Sequence, residues 1–399
     1  MQLVERHVIK ATDPRFAAID AASFAAKNLY NAANYLMRQA FITGGERVLS
    51  YAQLYRAARH LPAYTGLPRK VAQQVLKSLQ KNWVALQAAR REWAVHPEKF
   101  RGKPGLPKYL DKQRGRYLLV YTVQALSRPA LRQGRIAPSG LDITVTTRQT
   151  SVNQVRMVPK RTHYVVEVVY SKQPEPATRD PTRIAGLDLG INNLVTIAAN
   201  TPGFIPVTVN GRPLKAINQW YNKRRAQLHA RLPHGQFWSH QLDRLTDKRN
   251  RHIDHALHVA SKRIIDLLVR EGIGTLVIGY NPWWKQQVRL GTRNNQQFVQ
   301  LPHARLIHML TYKGELRGMR VIVHEESYTS KCSFLDNEPV GKHDQYLGRR
   351  VTRGLFRAAD GRHSNADVNG AYNIIGKVAP DAFAQGRSGC VVHPVRLAA

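Results

Sequence analysis

The stretch Arg183-Ile184-Ala185-Gly186-Leu187-Asp188-Leu189-Gly190 decides how the second half of this chain folds. Its apolar run reads as a buried strand, and a single carboxylate interrupts it near the end. An aspartate between apolar strand residues is costly to bury as a lone charge, so it must be paired, protonated or bound to a cation. Glycines on both sides let another backbone or a phosphate approach closely. A strand-end Asx-turn is the reading that requires no function.

Working outward, Asn193 to Ala199 and Phe204 to Val209 read as two further strands, joined by turns short enough for an antiparallel meander. Helical periodicity follows from about Leu214 to Arg231 and from about Trp238 to Arg270, with Gly272 as the stop. Thr275 to Gly279 is an apolar strand, Pro302 to Leu316 a helix and Met319 to His324 a fifth strand. Three antiparallel strands, then helix, strand, helix and strand, is the order of an RNase H-like α/β fold. A second aspartate, Asp367, lies in Asn365-Ala366-Asp367-Val368-Asn369-Gly370-Ala371, in the first turn of another helix. Capping would explain it. Small residues at 366, 370 and 371 would let that helix pack closely on a sheet carrying Asp188.

The first half has a different texture. Leu3, Val4, Val8 and Ile9 suit a short strand, and Asp13-Pro14 predicts the start of a long helix to about Phe41. A second helix from Pro68 repeats Val71, Val75, Leu79, Trp83, Leu86 and Trp93 at helical spacing, with a basic opposite face. RGKPGLPKYLDKQRGR at 101–116 is too rich in Gly and Pro for a helix, and β-rich segments follow at Tyr117 to Gln124, Leu141 to Thr147 and Thr162 to Tyr170. Strands flanking a helical insertion suggest a small β-barrel interrupted by helices. The linker is KQPEPATRDP, 172–181.

Lys and Arg number 61 against 26 Asp and Glu, a net charge of +35 over 399 residues. Such like charge destabilises a compact state unless a polyanion neutralises it, so nucleic acid is the expected partner. No leader-like or spanning apolar run is present, so a membrane partner is not expected and a cytoplasmic location is. Two cysteines, Cys332 and Cys390, exclude a disulfide scaffold and any four-cysteine site.

Five motifs in one order, GKPGLPKY (102–109), GLDLGINN (186–193), NQWYNKRRAQL (218–228), Tyr-Thr-Ser-Lys (328–331) and DVNGAYNI (367–374), resemble the TnpB family. These are transposon-encoded relatives of compact type V CRISPR effectors. The resemblance covers nearly the whole chain. It implies an RNA-guided endonuclease that cuts double-stranded DNA beside a short transposon-adjacent motif, with a guide RNA from the transposon end. It implies a multidomain α+β chain: a β-barrel wedge domain (1–12 and 99–176), a helical recognition domain (13–98), and an RNase H-like RuvC nuclease domain (182–326 and 364–380). An inserted nucleic-acid-binding segment is expected at 327–363 and a disordered tail at 381–399. By resemblance Asp188 is the first metal-binding carboxylate and Asp367 the last. The usual middle glutamate is missing, since Gly279 stands at the end of the fourth strand. Glu325 and Glu326 at the end of the neighbouring strand are the replacements on offer, and strand alternation allows only one of them to face the site, with Glu325 preferred. Such a subgroup, with a relocated glutamate, is part of the resemblance.

Three carboxylates suit two Mg²⁺ ions, with Mn²⁺ an admissible substitute. The zinc-ribbon cysteines of many relatives are absent from the interval around Cys332, so no structural zinc is expected. Acid-free intervals run from Asp188 to Asp243 and from Gly272 to Gly314. They carry Trp220, Tyr221, Lys223, Arg224 and Arg225, then Trp283, Trp284, Lys285, Arg289 and Arg293, and with Lys103 and Lys108 these are the candidate nucleic-acid contacts. A protein oligomer is not required. Two competing functions remain open: a guided DNA-binding protein that has lost cleavage, and a strand-joining transposase.

Overall fold

The computed structural model describes residues 1–281, 299–384, 386–387 and 389–397. The chain divides into two units, Met1–Lys172 and Gln173–Ala399, and the cut falls at the Lys172 that opens the predicted linker. Among the described residues no helix is long and apolar enough to cross a membrane.

The first unit runs β1 (Gln2–Lys10), α1 (Phe16–Thr43), α2 (Tyr51–Ala58), a single turn α3 (Pro62–Thr65), α4 (Arg69–Val95), β2 (Leu119–Thr122), α5 (Arg128–Arg132), β3 (Arg135–Ile136), β4 (Val145–Thr146), β5 (Gln154–Pro159) and β6 (His163–Ser171). The expected barrel is resolved as two ladders among the described residues: an antiparallel sheet in the order β1-β6-β5-β2, and a separate β3-β4 pair. Gly134 and Gly140, both at positive φ, bracket β3 and keep it to two residues. The predicted strand Leu141–Thr147 accordingly shrinks to β4, while β5, which the sequence reading passed over, carries a central ladder.

The Gly- and Pro-rich segment after α4 cannot satisfy its backbone in a ladder, and α1 does so with side chains. Lys27 Nζ donates to Lys112 O, Asn34 Nδ2 to Pro107 O and Tyr30 Oη to Lys108 O, while the Asn31 amide pairs with both the N–H and the C=O of Leu110. Buried Trp83 of α4 donates to Asn34 Oδ1 at 2.9 Å, which orients that amide. The helix begins two residues later than the sequence predicts, because Asp13 spends its carboxylate on the backbone N–H and guanidinium of Arg15.

The second unit runs β7 (Ile184–Leu189), β8 (Asn193–Ala199), β9 (Val207–Asn210), α6 (Arg212–His229), α7 (His240–Arg270), β10 (Thr275–Gly279), α8 (His303–Leu316), β11 (Arg320–His324), β12 (Arg349–Thr352), β13 (Leu355–Arg357), β14 (His363–Asn365), α9 (Ala366–Val378) and β15 (Val395–Arg396). Its main sheet has the order β11-β10-β7-β8-β9-β15. β7, β8 and β9 pair antiparallel, and β10 is parallel to both β7 and β11. That is the topology anticipated from the element order. One face packs Ala185, Leu187, Leu276 and Ile278 against α7 and α8, and the other packs Ile184, Ala198 and Val277 against α9. Strand alternation therefore puts Gly186, Asp188 and Gly279 on the α9 face.

The insert between β11 and α9 builds the antiparallel sheet β12-β13-β14. Its first loop is closed by buried Glu338, which accepts from Ser333 N at 2.6 Å and Leu347 N at 2.9 Å. Phe334 stacks on Tyr372 of α9 with ring centroids 4.3 Å apart. The segment expected to be a disordered tail is fastened instead: β15 lies parallel to β9, and Tyr372 Oη donates to Val391 O. Unpaired β9 backbone and a buried tyrosine hydroxyl both need partners, which the patternless sequence of the tail did not advertise.

Candidate metal centre

Asp188 stands near the end of β7 opposite Thr196, facing α9. Gly186, one strand repeat before it, lets the helix close on the sheet, since a Cβ there would run into Ala371 O and Ile375. Gly370 does the same beside the carboxylate, where a Cβ would lie 3.4 Å from Asp188 Oδ2. His303, buried at the start of α8, donates from Nε2 to Gly190 O at 3.0 Å and fixes the turn after Asp188.

Asp367 is not the cap of α9. Asn365 performs that task, its side chain accepting from Asp367 N at 3.0 Å and Val368 N at 3.2 Å. Asp367 is thereby released to point toward the sheet, where Oδ2 accepts from Asn193 Nδ2 and Oδ1 from Arg350 Nη2, each at 2.9 Å. Asn193 ends the GLDLGINN motif, and Arg350 comes from β12 of the insert.

Glu326, not the preferred Glu325, faces this group. Gly279 pairs with His324 in the parallel β10-β11 ladder, so residues two apart from His324 return to the Gly279 face. A Cβ built on Gly279 would come 2.5 Å from Glu326 Oε2 and 3.2 Å from Glu326 Cβ. The glutamate thus fills the volume in which a side chain at 279 would begin. Glu325 is exposed and ion-paired with Lys377. The register that selects between the two depends on how β11 pairs with β10, and neither strand's own sequence states it.

The three acids act on one another by charge repulsion. Burial, and then the charges of Glu326 and Asp367, push the Asp188 carboxyl well above its ordinary value, with Arg350 opposing. Burial, and then Glu325, push Glu326 up to about 7. Burial raises Glu325 as well, but hydrogen bonds from Lys377 and Ser327 outweigh it and leave the carboxyl below its ordinary value.

Glu326 Oε2 is buried and has no hydrogen-bond partner. An orphaned carboxylate oxygen beside a carboxyl raised by its acidic neighbours fits a divalent cation, which would supply the missing ligand and charge. Among the described residues no three acidic, histidine or cysteine side chains already stand close enough to chelate one ion. Arg350 pairs its guanidinium with one oxygen of Asp367.

The candidate nucleic-acid residues fall on both units. Lys103 and Lys108 are exposed on the segment strapped to α1, Lys103 with its ammonium 5.8 Å from the Trp93 ring. On α6, Lys223, Arg224 and Arg225 are exposed, and Trp220 is 48% exposed beneath Lys248. Tyr221 differs: it packs between α6 and α7, its hydroxyl 3.1 Å from Thr246 Oγ1 and Arg249 over its ring. Trp283, Trp284, Lys285, Arg289 and Arg293 lie outside the described residues.

Residues 165–284 match a family described as a probable transposase, OrfB_IS605, and residues 303–374 match the Cas12f1-like TNB domain. The CRISPR-associated endodeoxyribonuclease Cas12f1 of Sulfoacidibacillus thermotolerans is 27% identical over 239 residues, 57% of this chain and 53% of that protein. The TnpB-like protein ORF457 of Acidianus two-tailed virus is 24% identical over 205 residues, 49% of this chain and 42% of that protein. The chain is thus similar, over these segments, to TnpB and Cas12f1 proteins. The chain spans about half the length of those curated relatives. Its fold is shared with the Cas12f1 of a Cas12f1-sgRNA-target DNA complex, with a TM-score of 0.54 at 14% identity over 90% of this chain and 82% of the other.

Proposed function

We propose that this protein is a transposon-associated, RNA-guided endonuclease that hydrolyses double-stranded DNA next to a short transposon-adjacent motif. The observation that carries the reading is Glu326 Oε2 in the side-chain volume of Gly279. A site that had lost its chemistry would have no reason to return a carboxylate to that volume. Relatives named as an endodeoxyribonuclease and as a TnpB-like protein support the class.

Asp188, Glu326 and Asp367 would hold the metal, Mg²⁺ with Mn²⁺ as substitute. When bound, such ions supply an activated water and neutralise charge on the scissile phosphate. The chain's own residues set the stage. Asn193 and Arg350 orient Asp367, and His303 fixes the turn beyond Asp188. The exposed cations of α6 and of the 101–116 segment would grip guide RNA and target DNA by their backbones, leaving sequence to base pairing. The protein would work in the cytoplasm, at the nucleoid when bound to DNA, without membrane and without a second copy.

A guided DNA-binding protein without cleavage is the second reading, favoured by Gly279 and by the Arg350–Asp367 ion pair. The test uses protein purified with its co-expressed RNA, Mg²⁺ and a plasmid bearing the matched target. The nuclease reading expects cutting, and a loss of at least about a hundredfold in Glu326→Gln with target binding retained. Tight binding without cutting by the native protein would establish the second reading.

A further inference from the structure

In a sheet that carried its acid at position 279, the side chain would sit on β10, held by ladders to β7 on one side and β11 on the other. Glu326 lacks that support. It lies beyond the end of β11, an edge strand whose ladder partner among the described residues is β10 alone, in a turn where Tyr328 adopts φ +68°. Something else must hold it still.

The turn is pinned at Glu326 and at Ser327 after it. Asn281 Oδ1 accepts from Glu326 N at 3.3 Å, and Glu326 O accepts from Thr329 N at 3.3 Å and from Thr329 Oγ1 at 2.8 Å. Glu325 Oε1 accepts from Ser327 N at 2.7 Å and from the Ser327 hydroxyl. Lys377 Nζ binds Glu325 Oε2 and donates to Ser327 O at 3.1 Å. Lys377 belongs to the last turn of α9, whose first turn carries Asp367. One rigid helix thus fixes Asp367 at its start and the Glu326 turn at its end, ten residues or about 15 Å along.

We propose that Glu325 and Lys377 are positioning residues, a clamp that aims Glu326 at the site in place of the β10 ladder. The proposal rests on Glu326 being a metal ligand. Glu325, the first choice by sequence, then acts through its neighbour and touches neither metal nor substrate. Loss of an outer partner that orients a metal ligand costs about 10- to 100-fold in metal affinity or activity.

The experiment uses guide-loaded protein and compares Glu325→Gln, Lys377→Met and Lys377→Arg with Glu326→Gln. Glu325→Gln and Lys377→Met should each slow single-turnover cleavage about 10- to 100-fold and raise the half-saturating Mg²⁺ concentration, with target binding intact. Hydrogen exchange should quicken at residues 325–329 and stay unchanged at 275–279, and Lys377→Arg should recover most of the rate. Native cutting and native exchange at 325–329 in both variants would overturn the clamp, as would exchange that quickens equally across β10, which marks a merely structural pair. Native cutting by Glu326→Gln would instead remove the site reading beneath it.

Discussion

Gly279 and Glu326 contend for one volume, and the consequences are electrostatic as much as steric. Glu326 is held near pH 7 by burial and by Glu325, against an ordinary value of 4.5. The folded protein therefore keeps a proton between those limits that the unfolded chain releases. A raised carboxyl contributes stability that is full below its unfolded pKa and is lost as pH rises through the folded one. Metal-free protein is thus expected to lose melting temperature from about pH 4.5 to about pH 7 relative to Glu326→Gln, measured side by side. Added Mg²⁺ should offset the loss most at the high end. Parallel melting curves for the two proteins would remove Glu326 as the source. Asp188 and Asp367 were legible in the sequence because each sits in a short motif whose apolar and small neighbours announce its setting. The choice between Glu325 and Glu326 was not, because it turns on the register Gly279 to His324, a relation between two strands.

Among the elements, those with a strong period came out of the sequence nearly whole: α7, β8 and β10 lie within two residues of their predicted ends, and α4 starts one residue after the predicted Pro68. Elements set by distant partners did not. β15 exists because β9 has an unpaired edge, and the insert is shaped by contacts to α9 that its own charged sequence conceals. In the insert, Glu338 ties residues 333 and 347 together with two charge-assisted hydrogen bonds. If the segment is closed this way and not by metal, a chelator should leave its hydrogen-exchange protection unchanged. Glu338→Ala should expose the loop, at about 1–3 kcal/mol for each backbone N–H left buried without a partner. Loss of protection on chelation, with Glu338→Ala silent, would reverse that assignment.

For the whole molecule, the surplus of +35 was the first indication of a polyanionic partner, and the structure spreads it over both units. The same surplus makes the scattered acids informative. Several serve structure, as Asp20 does by accepting from Arg116 and Tyr164, and Asp188, Glu326 and Asp367 meet on one face of the second unit's sheet. On the proposed function, Glu326, just beyond the end of β11, supplies the carboxylate that β10 lacks at Gly279. The most direct test is to move the acid back. In guide-loaded protein with matched plasmid and Mg²⁺, Glu326→Ala should lose cleavage by at least about a hundredfold. The double variant Gly279→Glu/Glu326→Ala, in which the Glu326 carboxylate is gone and the flexible tip of Ile374, 2.6 Å from a Cβ at 279, has to shift aside, should recover at least about a tenth of the native rate. No recovery in a double variant that still folds and binds its target, or native cleavage by Glu326→Ala alone, would contradict the account.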